Sequence, residues 1–261
     1  MVGIKEFLKS QFAHKVVVIG FIEDFIINVV LIVLCIVPMF IHPFHMEIPD
    51  GSQNVNMMYP YVHSSVPTYA CCLLAYLPPA LLIIIFSVKK KSLLFLVFSA
   101  LTLLLAALSC LSLTNWAKIF AGRPRPHFYA RLEENSDQID DVYKSFPSGH
   151  SSTIFNGMSF TACFVAGQIK IFGRSHASWK LLLFIMPWII ASVVAISRTR
   201  DYHHNFSDIL GGTAFGIFFG VVVYLAKFKN FSAENCDDLK IEEDVDKEKN
   251  ATITDEEKTL A

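Results

Sequence analysis

Long apolar runs separated by short polar segments constrain the fold of this chain more than any other feature. Six runs, at about 20–41, 66–88, 93–115, 151–169, 181–197 and 207–227, are each near the roughly 20 residues that a helix needs to cross a hydrocarbon core. Only 17% of the residues are charged and 53% are hydrophobic, which is too apolar for a soluble domain of this length. The sequence therefore predicts an all-α, polytopic membrane protein with six transmembrane helices.

The distribution of Lys and Arg predicts how these helices are oriented. With the N-terminus inside, the inner flanks carry more basic residues than the outer segments, and the first outer loop, 42–65, carries none. Because cytosolic loops of membrane proteins are enriched in Lys and Arg, we expect both termini in the cytosol.

The chain ends flank the predicted six-helix membrane domain at 20–227. Phe7, Leu8 and Phe12 fit a short interfacial helix within the cytosolic N-terminus, 1–19. The tail at 228–261 is rich in Asp, Glu and Lys, so we expect it to be a disordered acidic cytosolic segment.

Three polar clusters interrupt the apolar pattern. They are Lys118-(six residues)-Arg125-Pro126, Pro147-Ser148-Gly149-His150 and Ser197-Arg198-(five residues)-His204-(three residues)-Asp208. In the predicted topology they follow span three, precede span four and lie between spans five and six, so all three fall on the extracytoplasmic side. Ionisable groups near a bilayer are costly and usually functional, which favours one shared site.

His204 and Asp208 are the first candidate catalytic pair. If the start of span six is helical, residues four apart lie on one face, one turn apart. A carboxylate beside an imidazole fixes its tautomer and leaves the other ring nitrogen to act as nucleophile or base. His203 and Asp201 are weaker candidates for the same two roles, and an ordinary ion pair at a helix end is the structural alternative.

The second cluster has the composition of a helix start that accepts an anion. Ser148 is a candidate helix cap, and Gly149 lets the backbone approach a ligand closely. The free N–H groups of a helix N-terminus suit an anion, and His150 placed there is a candidate general acid. A cap and turn without further function is the alternative.

Three cations, Lys118, Arg125 and Arg198, are candidate ligands for phosphate oxygens. The planar guanidinium fork pairs especially well with them. The alternative is that these side chains extend along the membrane interface to lipid headgroups. We keep that interpretation for four further basic residues, which are not placed in the predicted site: Arg123, Arg131, Lys144 and Arg200.

Together the three clusters resemble the signature of the type 2 phosphatidic acid phosphatase superfamily, the integral-membrane lipid phosphate phosphatases. All three elements are present without a gap or substitution, over 118–212 by motif and over about 16–228 by the six-span plan. The residues around them are most similar to the diacylglycerol pyrophosphate and phosphatidate phosphatases of fungi and plants.

The resemblance implies a role for each residue. His204 attacks phosphorus and forms a phosphohistidine, Asp208 orients it, and His150 protonates the departing lipid oxygen and then activates water. The implied phosphate ligands are Lys118, Arg125, Ser148, Gly149 and Arg198. Because three fixed cations supply the charge that Mg²⁺ supplies in other phosphoryl-transfer enzymes, we expect no metal and no other cofactor.

The predicted substrate is a membrane lipid phosphate, because the clusters lie at span ends, where headgroups lie. Phosphatidate, lysophosphatidate and diacylglycerol pyrophosphate all fit, and a sphingoid phosphate or a polyisoprenyl diphosphate is the near alternative. An anion or lipid transporter is the alternative from another class, since polar residues at span ends also suit a translocation pathway. A zinc hydrolase built from His150, His203, His204 and Asp208 is a further one. A net charge of −1 gives no reason to expect a nucleic-acid partner, and no feature indicates an oligomeric state.

Overall fold

The computed structural model describes residues 14–48, 54–134, 139–173 and 177–260, and within them the chain is helical. The long helices of the bundle are α1 Lys15–Ile36, α2 Thr68–Lys90, α3 Leu93–Ala121, α6 Gly149–Gln168, α7 Ser178–Arg200 and α8 Phe206–Lys227. Two short helices, α4 Phe128–Glu134 and α5 Ile139–Val142, follow α3, and α9 Lys240–Leu260 follows α8. Short 3₁₀ turns cover Val37–Phe40 and Val55–Met57. The predicted interfacial helix with Phe7, Leu8 and Phe12 lies outside the described residues.

Five helices of the described chain are long and apolar enough to cross a membrane, namely α1 with its 3₁₀ turn, α2, α3, α7 and α8. Their outer faces expose large apolar side chains such as Phe25, Ile85 and Leu182. Such faces are unfavourable in water and match the lipid-facing surface of a membrane bundle. The chain is therefore an all-helical integral membrane protein.

The fourth predicted span, 151–169, corresponds to α6, which differs from the other five. It contains Ser, Thr, Asn and Gly, and most of its side chains are buried. The helix packs against α2, α3, α7 and α8, so protein rather than lipid surrounds it. Polar groups are tolerated there because neighbouring helices accept their hydrogen bonds: Asn156 Nδ2, for example, donates to the Ala106 carbonyl at 3.1 Å. The count of six spans remains a prediction for this helix.

Glycines on α8 bring its backbone directly against α6. A Cβ at Gly216 would lie 2.6 Å from the Ser152 carbonyl oxygen, and a Cβ at Gly212 would meet the carbonyl of Ser148. Small residues at such positions let two helices approach to backbone contact. The same contact joins the helix starts, where Ser148 N donates to the Asp208 carbonyl at 2.9 Å. This seam sets the relative position of the second and third sequence clusters.

The prediction of a disordered tail does not agree with the structure, which describes packed residues through much of it. Phe228, Leu239 and Val245 are buried in the same apolar cluster as side chains of α3 and α6. Asp237 carboxylate oxygens lie 3.1 Å from Lys90 Nζ and 3.0 Å from Lys170 Nζ. The acidic composition did not predict this packing, because composition averages over the segment, whereas a few well-spaced apolar side chains are enough to anchor it.

Candidate active site

The three sequence clusters meet at one end of the bundle, around a cavity of about 430 Å³. The end of α3, the start of α6, the end of α7 and the start of α8 all lie there. Six predicted site residues line the cavity: Lys118, Arg125, Gly149, His150, Arg198 and His204. The other two, Ser148 and Asp208, are fully buried and are not part of its lining.

A turn after α3 places Lys118 and Arg125 beside the cavity. Gly122 ends the helix with φ of +52°, a left-handed conformation that favours glycine. Lys118 Nζ donates to the Lys144 carbonyl at 2.8 Å. Arg125 donates from Nε to the Asp141 carbonyl at 3.0 Å and from Nη2 to its carboxylate at 3.2 Å. These contacts hold both cations in place while each keeps further N–H donors.

Arg198 enters the cavity from the last turn of α7 and is almost fully buried. Its Nη1 lies 3.4 Å from Asp201 Oδ2, and its Nη2 donates to Ser64 Oγ at 3.2 Å. Its Nε has no hydrogen-bond partner among the described residues. Buried N–H groups are rarely left unpaired, which makes this donor a candidate contact for a ligand.

His204 lies in the connection before α8, and this corrects the predicted placement on a helical face. Asn205 is the N-cap of α8, and His204 Nδ1 lies 3.7 Å from Asp208 Oδ2, which is longer than a hydrogen bond. Burial lowers the pKa of His204 well below its usual value; Asp208 opposes this shift, and the charges of Arg125 and Lys118 reinforce it. The imidazole is therefore neutral at pH 7, as a nucleophile must be.

Asp208 is fully buried and accepts three hydrogen bonds. The donors are Arg123 Nη1 at 2.7 Å, Ser145 Oγ at 2.6 Å and the Asn205 backbone N–H at 2.9 Å. The placement of Arg123 corrects its assignment to lipid headgroups. Its position two residues before Arg125 gave no sign of this contact, since only the fold brings it to α8.

The start of α6 has the local structure that the sequence indicated. Ser148 is the N-cap, and its Oγ accepts a hydrogen bond from Ser151 N at 3.4 Å. His150 Nε2 lies 3.0 Å from the Val66 carbonyl oxygen. A carbonyl only accepts, so Nε2 carries a proton, and Nδ1 is the ring nitrogen left for a substrate.

Sequence reasoning missed His127, Tyr61 and the position of Arg131 in the cavity lining, and it gave His203 only as a weaker candidate. His127 and His203 line the cavity, and burial lowers the pKa of His127 to about 4 and that of His203 to about 3. The Arg131 guanidinium lies 4.4 Å from the centre of the Tyr61 ring. Arg131 thus also lines the cavity, contrary to its assignment to headgroups. These residues come from α4 and from connecting segments whose proximity no local spacing reveals.

The residues of the zinc alternative are engaged elsewhere. Within the described ranges, no three His, Cys, Asp or Glu side chains are grouped so that they could hold a metal ion. His150 and His203 each donate Nε2–H to a carbonyl, and Asp208 is occupied by three donors. The described residues of this alternative are therefore not arranged as a set of zinc ligands.

In this helical integral-membrane protein, three cations and two histidines surround one cavity. Such a set of side chains is typical of an enzyme that acts on a phosphate group. Comparison with known families agrees with this class. The model of the PAP2 superfamily matches residues 96–232, and the chain belongs to this superfamily. The predicted family is thereby confirmed.

Relatives in the superfamily are named as lipid phosphatases. "Probable diacylglycerol pyrophosphate phosphatase 1" of Schizosaccharomyces pombe is 32% identical over 214 residues, covering 74% of this chain and 77% of the relative. "Lipid phosphate phosphatase 1" of Arabidopsis thaliana is 31% identical over 224 residues, covering 80% and 68%. "Diacylglycerol pyrophosphate phosphatase 1" of Saccharomyces cerevisiae is 25% identical and covers 75% of each chain. No solved structure matches this chain significantly.

Proposed function

We propose that this protein is a metal-independent lipid phosphate phosphatase that hydrolyses phosphatidate, lysophosphatidate or diacylglycerol pyrophosphate. The observation that carries the proposal is the convergence of Lys118, Arg125 and Arg198 on the cavity that His150 and His204 line. Three fixed cations stabilise the charge on a transferring phosphoryl group, which is the main requirement of this chemistry. The named activities of the relatives favour the same reaction.

In the first step, His204 attacks phosphorus and the bond to the lipid oxygen breaks. Nε2 is the attacking nitrogen, because Nδ1 faces Asp208 at 3.7 Å. The reaction turns the neutral imidazole into a cation, and the buried carboxylate stabilises it. Asp208 can do so without moving, since Arg123, Ser145 and the Asn205 backbone already fix it.

His150 completes the reaction as acid and then as base. Nε2–H stays bonded to the Val66 carbonyl, so the general acid is the doubly protonated ring, which carries its second proton on Nδ1 and donates it to the departing lipid oxygen. In the second step Nδ1 accepts a proton from water, which attacks the phosphohistidine and releases inorganic phosphate. Gly149 has no side chain to obstruct the phosphate and lies beside Lys118, whose Cε would be in van der Waals contact, at 3.7 Å, with a Cβ at this position.

The walls of the cavity favour a lipid substrate. They include Leu111 of α3 and Cys72 of α2, which are both exposed and belong to membrane-spanning helices. A cavity lined by cations and by side chains of such helices suits a phosphate headgroup with attached acyl chains.

The proposed orientation places the site towards the lumen or cell exterior and both termini in the cytosol. The basic residues Lys90, Lys170 and Lys227 lie at the opposite end of the helices from the cavity. Enrichment of Lys and Arg at that end supports its assignment to the cytosolic side.

The test is phosphate release from phosphatidate in detergent micelles with excess EDTA, comparing the native protein with His204→Ala. His42→Ala is the matched control, because the His42 side chain is 92% exposed and pairs with Asp140 outside the cavity. We expect activity in the native protein and in the control, and none in His204→Ala. Loss of native activity on chelation would refute the metal-free mechanism.

A substrate panel separates the close alternatives. Phosphatidate, lysophosphatidate and diacylglycerol pyrophosphate are expected to be hydrolysed faster than a sphingoid phosphate or a polyisoprenyl diphosphate. If no member of the panel releases phosphate and the substrates cross the membrane of vesicles that contain the protein, a transporter would be indicated instead of a phosphatase.

A further inference from the structure

A short outer segment, 62–66, which leads into α2, contacts four residues at or beside the cavity. The Val62 carbonyl lies 3.0 Å from His203 Nε2, and the Val66 carbonyl lies 3.0 Å from His150 Nε2. Between them, Ser64 Oγ lies 3.2 Å from Arg198 Nη2. Ser65 N and Ser65 Oγ each lie 2.6 Å from the Asp201 carboxylate. Five consecutive residues therefore hold both a predicted phosphate ligand and the predicted general acid.

Asp201 is the anchor of this segment. It is 1% exposed, and its two carboxylate oxygens receive the Ser65 backbone N–H and hydroxyl, one each. The oxygen that binds the backbone N–H also lies 3.4 Å from Arg198 Nη1. Asp201 does not line the cavity, so any effect on a ligand is transmitted through other residues.

The physical need for such an anchor follows from the burial of Arg198. A buried charge without a counter-charge is strongly unfavourable, and a flexible arginine loses rotamer entropy when it binds a ligand. Asp201 supplies the counter-charge, and together with Ser64 it occupies both Nη atoms. The unpartnered Nε is then fixed before a ligand arrives.

We propose that Asp201 is a positioning residue that locks segment 62–66 onto the site and presents Arg198 to the phosphate. This inference rests on the proposed function, and it gives Asp201, which the sequence offered only as a weaker candidate partner of the nucleophile, a role towards Arg198 instead. The same contacts keep the Val66 carbonyl on His150 Nε2–H, so the ring keeps its orientation and Nδ1 faces the substrate both as acid and as base.

The test compares Asp201→Asn, Arg198→Lys and the double variant in purified full-length protein. The readouts are kcat, KM for phosphatidate, and the inhibition constant of orthovanadate as a phosphate mimic. Because bonds to a charged group are strong, Asp201→Asn is expected to raise KM and the inhibition constant about tenfold or more. Arg198→Lys is expected to do the same, and the double variant to be no weaker than Arg198→Lys alone, since both changes remove one interaction.

Two further variants separate positioning from folding. Asp24→Asn changes an equally buried aspartate, which pairs with Lys227 at the opposite end of the bundle, and should leave both constants unchanged. Ser65→Ala removes the hydroxyl bond to Asp201 but keeps the backbone one, so a smaller rise in both constants is expected.

The positioning role would be overturned if the increases in KM and in the inhibition constant were additive in the double variant. It would also be overturned if Asp201→Asn left both constants unchanged and only lowered the yield of folded protein. Vanadate binding measured by thermal stabilisation keeps this separate from the proposed function. If the native protein binds vanadate but hydrolyses no lipid phosphate, the proposed function is refuted. The vanadate affinities of Asp201→Asn, Arg198→Lys and the double variant then still decide the role of Asp201. If the native protein does not bind vanadate, the role of Asp201 is refuted as well.

Discussion

Arg123 offers a sharp test of how the buried carboxylate is held. Its Nη1 donates to Asp208 Oδ1 at 2.7 Å and to Ser207 Oγ at 2.6 Å, and one third of its side chain is exposed. A hydrogen bond to a charged group contributes about 1.5–3 kcal/mol, and partial exposure favours the lower part of that range. If this loss appears in the transition state, Arg123→Gln should lower kcat about ten- to thirty-fold.

The assay is steady-state phosphate release from phosphatidate, with KM measured alongside kcat. Arg200→Gln is the matched control, because Arg200 is also a basic residue near the cavity end, is exposed and does not line the cavity. We expect Arg123→Gln to lower kcat with little change in KM, since Asp208 stabilises charge that develops during the reaction. Equal activities of Arg123→Gln and Arg200→Gln would refute the inference that Arg123 holds Asp208.

Three further predictions concern stability. Gly216→Val forces α8 away from the Ser152 carbonyl and should destabilise the protein by about 1–3 kcal/mol, which is measured as a lower Tm in detergent. An unchanged Tm would contradict the close contact between α6 and α8 at this glycine. Burial lowers the pKa of His127 to about 4 and that of His203 to about 3, so between these values and their usual pKa only the unfolded state binds protons. Stability should therefore fall by about 1.4 kcal/mol per pH unit per histidine as the pH drops below about 6.5, and a flat Tm from pH 7 to 5 would be inconsistent with this. Leu239→Ala removes a buried anchor of the tail and should increase proteolysis there while activity persists; unchanged protection would mean that the anchor is dispensable.

Residue order and hydropathy predicted the helices well, because a lipid-facing helix must be apolar along most of its length. The predicted spans and the structure agree to within a few residues at α2, α6 and α8, whereas α1 begins at Lys15 rather than near residue 20. Glu23 and Asp24 lie in the early turns of this predicted span and made it the least clean of the six, yet Asp24 is buried and paired with Lys227. A charge satisfied by a distant residue cannot be recognised from hydropathy.

The cavity itself was only partly predictable. Clusters with fixed internal spacing identified Lys118, Arg125, His150, Arg198 and His204, since each sits at the end of a predicted span. The supporting contacts depend on loops that fold back from far along the chain, and local spacing carries no information about them.

Arg123, Asp201 and Ser65 illustrate this limit. Arg123 lies two residues before Arg125, and Asp201 directly follows Arg200; only the structure shows that Arg123 binds Asp208 and that Asp201 binds Ser65. Ser65 belongs to the predicted outer loop 42–65, which has no Lys or Arg. From the sequence, this loop served only to predict which side of the membrane it faces.

The most direct test of the central claim is detection of a phosphoenzyme. Native protein would be mixed with lipid phosphate labelled in the phosphoryl group, quenched within milliseconds under alkaline conditions and mapped by mass spectrometry. The proposed mechanism predicts an acid-labile phosphate on His204, absent from His204→Ala. Rapid turnover without this adduct, or an adduct on another residue, would contradict the assignment of His204 as the nucleophile.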